Sequence, residues 1–104
     1  MSNIVLSFEA KNDLKEIKKY ISNELDNDIA ANNTISKITK GIRRLEQQPL
    51  MGPPLSSVIE FDTNYRFLVC GNYMVFYRFD DNMVFVSRII YGRRDYMKIL
   101  FKNE

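Results

Sequence analysis

The 104-residue chain predicts an α+β fold: an N-terminal strand, an antiparallel two-helix hairpin packed on an antiparallel β-sheet, and a short C-terminal segment. Three observations lead there. Apolar residues from Ala10 to Leu45 recur at helical spacing, in two runs separated by Asp26-Asn27-Asp28. Pro49, Gly52 and Pro54 then interrupt the helical pattern. From Tyr65 to Tyr91 the chain changes to short β-branched and aromatic runs punctuated by turn residues. The length suits one domain, residues 1–104.

Ile4-Val5-Leu6 followed by Phe8 is a short apolar run and reads as the first strand. Ser7 and Glu9 offer a helix start, with an acid favourable to the dipole in the first turn. Ala10, Leu14, Ile17, Ile21 and Leu25 form the apolar stripe, leaving Lys11, Lys15, Lys18 and Lys19 mostly on the wet side. Such lysines can hold phosphates, but interleaved with Asp13 and Glu16 they read as a solvated face. Asp26-Asn27-Asp28 supplies caps for a second helix, whose stripe is Ala31, Ile35, Ile38, Ile42 and Leu45. Neither helix can bury its stripe against the other alone, so the hairpin needs a sheet to lie on.

Pro49 ends the second helix and opens a connection over residues 49–64. Within it, Val58, Ile59 and Phe61 form either a brief strand or pins to the core. Three strands follow, Tyr65–Cys70, Tyr73–Phe79 and Met83–Tyr91, with turns at Gly71-Asn72 and Asp80-Asp81-Asn82. Beyond Gly92, the run from Arg94 to Phe101 gives either a short helix or a frayed tail.

Composition excludes several classes of chemistry. There is no histidine, which removes His-based triads, His-ligated metals and imidazole acid–base catalysis. Cys70 is the only cysteine, so it reads as a reduced thiol, with no intramolecular disulfide and no multi-cysteine zinc site. No metal and no cofactor are expected, and any chemistry falls to Arg, Lys, Tyr, Asp or Glu. No apolar run is long enough to span a membrane, and the N-terminus lacks a secretory layout, so a cytoplasmic location without a membrane partner is expected. The net charge is only +2, yet it is uneven: from Tyr65 onward seven Lys/Arg face four Asp/Glu.

Alternation along the strands assigns faces. Odd positions such as Tyr65, Phe67, Val75, Tyr77, Met83, Phe85 and Ile89 are apolar or aromatic and are expected beneath the helices. Even positions carry every strand arginine. Turns that keep parity in register would gather Arg66, Arg78 and Arg88 on one outer surface with Met74 and Phe76, extended by Arg93 and Arg94. A slip of one residue would scatter them. Taken singly, each arginine reads as the partner of a nearby carboxylate; taken together they suit a phosphate-bearing or protein partner.

Several phrases, in order and spacing, resemble the RelE/ParE superfamily of bacterial type II toxins. They are Leu45 to Pro49 with Gly52, Tyr65-Arg66, Tyr73-Met74-Val75-Phe76-Tyr77-Arg78, and Ile89-Ile90-Tyr91-Gly92-Arg93-Arg94-Asp95-Tyr96. The likeness runs from the first strand to Leu100. It implies a growth-inhibiting toxin neutralised by a cognate antitoxin protein, acting by one of two mechanisms. A RelE-like toxin cuts messenger RNA on the ribosome and needs cations to stabilise a phosphorane. By resemblance Arg66, Arg88, Arg93, Arg94 and Tyr96 would then be catalytic. A ParE-like toxin poisons DNA gyrase and needs no catalytic constellation. Met74 stands where the ribonuclease branch carries an arginine, and this favours the ParE-like branch. The residues expected to bind antitoxin or target are Arg66, Met74, Phe76, Arg78, Arg88, Arg93, Arg94, Ile99 and Leu100. A non-toxic interaction domain is the alternative from another class.

Overall fold

The computed structural model describes residues 3–60 and 62–101. Its elements are β1 (Asn3–Leu6), α1 (Phe8–Lys19), α2 (Asp28–Arg44), β2 (Arg66–Cys70), β3 (Tyr73–Asp80), β4 (Met83–Tyr91) and α3 (Tyr96–Leu100). The strands form one sheet in the order β1-β4-β3-β2, antiparallel except that β1 runs parallel to β4. The α+β expectation is met, helix hairpin included, and of the two readings left open for the C-terminal segment the short helix is the one formed.

Local chemistry explains the helix boundaries. The Ser7 hydroxyl oxygen accepts from the Ala10 amide at 2.9 Å, capping α1, and its proton goes to the Ser87 carbonyl at 2.7 Å. The start of α1 is thereby fixed against β4. Phe8 opens this helix, instead of closing β1, and is 80% exposed. Asn27 caps α2 through the Ala30 amide. Between the helices, Tyr20–Glu24 form a π-helical turn, and Asp26 takes a left-handed conformation at φ 49°. The extra residue in a π turn rotates the next side chains out of register, so Leu25 leaves the buried stripe for solvent.

Both β-hairpins use two-residue loops, Gly71-Asn72 and Asp81-Asn82. Gly71, Asp81 and Asn82 have positive φ, as the twist of such loops demands. A two-residue loop pairs an even position with an odd one, as in Arg66↔Tyr77 and Asp80↔Met83. The parity expectation therefore fails across strands. Arg66 shares a face with Tyr77, whereas Val84 and Val86 lie in the core and Phe85 turns outward. Ser87 is then unpaired in a bulge, since Phe76 faces Arg88 and Tyr77 faces Val86. The bulge restores Ile89 to the core.

The sheet is covered on both faces. One face carries α1 and α2 over Val75, Tyr77, Val84, Val86 and Ile89. The other buries Leu55, Phe76 and Ile90 beneath Tyr96, Ile99, Leu100 and Phe101. That is why Val75, Phe76 and Tyr77 are buried in succession. The 49–64 connection lines the outer edge of β2: Leu55 donates to the Tyr65 carbonyl and Phe67 to that of Pro53. Leu55–Ser57 form a 3-10 turn; Val58 is exposed, Ile59 packs on the second core, and Phe61 lies outside the described residues.

Candidate functional site

The arginines expected on one surface are distributed over three places. Arg66, on the β2 edge, donates to the Gly52 carbonyl at 2.7 Å. Beside it the Tyr77 hydroxyl donates to the Pro49 carbonyl at 2.8 Å and accepts from the Gly52 amide at 3.0 Å. A Cβ at residue 52 would collide with the Phe67 carbonyl oxygen, so glycine permits this close stapling of loop to strand. Burial pushes the Tyr77 phenol pKa up, partly offset by the Gly52 amide and the Arg66 charge. Arg66 and Tyr77 anchor the loop.

Arg88 sits on the opposite side of β3, at the end of the sheet that β1 does not reach. There Asp13 of α1 accepts from Arg88 at 2.8 and 2.9 Å and from the Ile89 amide at 2.9 Å. One carboxylate thus satisfies an edge amide and neutralises a half-buried guanidinium. The Asp13 bond raises the Arg88 pKa above its ordinary value, outweighing the cost of burial. Arg78 is exposed and stacks over the Tyr65 ring at 5.7 Å.

Phe76 is fully buried on the far face, so it offers nothing to a partner while α3 is seated. The Tyr96 ring lies 5.1 Å from it, and Ile99 and Leu100 pack on the same cluster. Tyr96 is therefore a packing residue here. Met74 lies on that face too, close to the Gly92 turn, whose amide donates to the Asn72 carbonyl. Arg93 and Arg94 are both exposed beyond β4.

Arg88 and Arg94 do meet, in a cleft of about 640 Å³ between the helix hairpin and the end of β4. Its floor is Ile17, Ile21, Ile89 and Ile90, and its walls include Tyr20, Tyr73, Tyr91, Asn72 and Glu16. Tyr73 and Tyr91 pack edge to face at 5.6 Å. Burial raises the Tyr73 pKa, and neighbouring Tyr91 and Tyr20 add to the shift, so its hydroxyl stays a neutral donor. An apolar floor with hydroxyls and one exposed arginine at the mouth suits an apolar side chain carried beside an acidic group. Sequence reading missed Asp13, Tyr20, Tyr73 and Tyr91 as members of this cleft. The signal for Asp13 was its spacing, three residues after Ala10 and four before Ile17, which puts a carboxylate beside the buried stripe.

Comparison with known proteins agrees with this architecture. A family model, the ParE toxin of type II toxin–antitoxin systems, matches residues 4–96. A chain of the chromosomal ParDE system from P. aeruginosa superposes with a TM-score of 0.72 at 18% identity, covering 88% of this chain and 96% of that one. A chain of the RelBE2 toxin–antitoxin complex from Mycobacterium tuberculosis gives 0.61 at 18% identity, covering 86% and 96%. No curated protein sequence matches.

Proposed function

We propose that this chain, which belongs to the ParE toxin family of type II toxin–antitoxin systems, arrests growth by binding and poisoning DNA gyrase, not by cutting RNA. The supporting observation is what the arginines are already doing. A phosphoryl-transfer site needs cations converging on the charge that develops. Arg66 is engaged by the Gly52 carbonyl and Arg88 by Asp13, on strands separated by β3, and the β3 residues that pair with them are the uncharged Tyr77 and Phe76. The cations Arg93 and Arg94 lie at the rim, where they suit contact with a protein.

On this reading the cleft is the antitoxin site. An antitoxin segment would place an apolar residue on Ile17, Ile21 and Ile89 and an acidic residue on Arg94. This replaces Phe76 as the apolar anchor, because α3 already covers that side chain.

Inducing the chain alone in bacteria tests the target. Growth arrest with a DNA-damage response and intact transcripts is expected. Primer extension that finds new cuts inside translated codons would overturn the gyrase reading, and unaffected growth would overturn toxicity itself.

A further inference from the structure

We propose a second, separate surface: the solvent face of α2 binds the phosphate backbone of duplex nucleic acid without reading its sequence. From Ile29 to Arg44 this helix carries Lys37, Lys40, Arg43 and Arg44 and not one carboxylate. All four cations are exposed, on the side away from buried Ala31, Ile38 and Ile42. Lys37, Lys40 and Arg44 line a shallow open hollow with Asn33 and Ser36, none of which belongs to the cleft described above. Among the described residues the ion pair is Arg88–Asp13, which uses none of these cations. The lysines of α1 differ, being interleaved with Glu9, Asp13 and Glu16.

One cation of the hollow, Lys37, also lies against a neighbouring turn. A Cβ at Gly71 would come within 3.3 Å of the Lys37 side chain, so this lysine stem lies along the β2–β3 turn. From Lys37 to Arg44 the helix rises about 10 Å, over which duplex DNA presents roughly six phosphate charges. Asn33 and Ser36 add neutral donors, which phosphate oxygens accept. The hollow has no large apolar residue to anchor a folded protein partner or to enter a bilayer. Attraction here is purely electrostatic, which is the character of sequence-independent backbone binding. Such binding is independent of whether gyrase is the toxin's target.

Fluorescence anisotropy of the full-length chain on short labelled duplexes of two unrelated sequences tests it, at roughly 50 to 200 mM salt. Both duplexes should bind alike, with log affinity falling against log salt at a slope of about −3. The triple variant K37E/K40E/R44E should bind at least about tenfold more weakly and lose most of that slope, while K11E/K15E/K18E changes affinity less than about threefold. Circular dichroism confirms folding, and K37Q/K40Q/R44Q, which adds no repulsion, should show a smaller loss of the same sign. Unchanged binding by the folded variants would overturn the proposal. Poly-glutamate competing as well as duplex would also overturn it, in favour of an acidic protein partner.

Discussion

Asp13 does more than its place on α1 suggests, because three donors converge on it. Its side chain is 13% exposed and that of Arg88 28%, so the pair is half-screened by water and a full buried-pair penalty does not apply. Asp13→Ala should destabilise the fold by about 2 kcal/mol, leaving the Ile89 amide and Arg88 unpaired. A urea midpoint unchanged from wild type would remove Asp13 from this role. Arg94 has the opposite character, exposed at the cleft mouth. Arg94→Ala should weaken growth arrest without shifting the midpoint if the same arginine also contacts the target. Full arrest by the variant would refute that contact, while leaving its place in the antitoxin cleft to a binding measurement with antitoxin.

Tyr77 adds a pH dependence. Its folded-state pKa lies above the ordinary value of 10.0, so stability is fully present below that value and declines as pH rises through the folded pKa. Unfolded phenol ionises first, and the buried proton is also the one donated to Pro49. Unfolding free energy should therefore fall above about pH 10, and Tyr77→Phe should fall less steeply over the same window. Equal slopes for the two proteins would place the alkaline sensitivity elsewhere.

Elements meet here through small residues and short loops. A Cβ at Gly41 of α2 would stand 2.7 Å from Cys70 Sγ and 3.3 Å from the Leu68 side chain. Both neighbours belong to the helix-side core, and burial raises the Cys70 thiol pKa despite nearby Arg44 and Lys37. Gly41→Ala should cost about 1–3 kcal/mol by forcing α2 away from β2, even though alanine favours a helix. Cys70→Ala should recover most of that loss in the double variant, read as a coupling in thermal unfolding. Additive single effects would mean that the helix and strand do not touch through this pair. The two-residue turns act at the same scale, since loop length together with the Ser87 bulge decided which arginines share a face.

At the scale of the molecule, a sheet with two covered faces depends on a five-residue helix for one of them. Removing the chain after Asp95 should expose Leu55, Phe76 and Ile90, cost about 3 kcal/mol, and lower Tm by at least roughly 10 °C with new binding of an apolar dye. An unchanged Tm would show that the 49–64 connection seals this face by itself. The sequence alone determined the two long helices, the four strands, the residues that cap the helices, the exclusion of histidine chemistry and the family resemblance, because periodicity, cap residues and composition are local properties. It left open the forms of the 49–64 connection and of the C-terminal segment. Arg93 and Arg94 were likewise legible as a basic end. Only the tertiary structure decided that Arg66 and Arg88 serve as anchors, that Phe76 is core, and that three tyrosines and Asp13 form a cleft. The reason is register: two-residue turns and the Ser87 bulge set which side chains face each other, and parity counted along one strand carries no information about its neighbour.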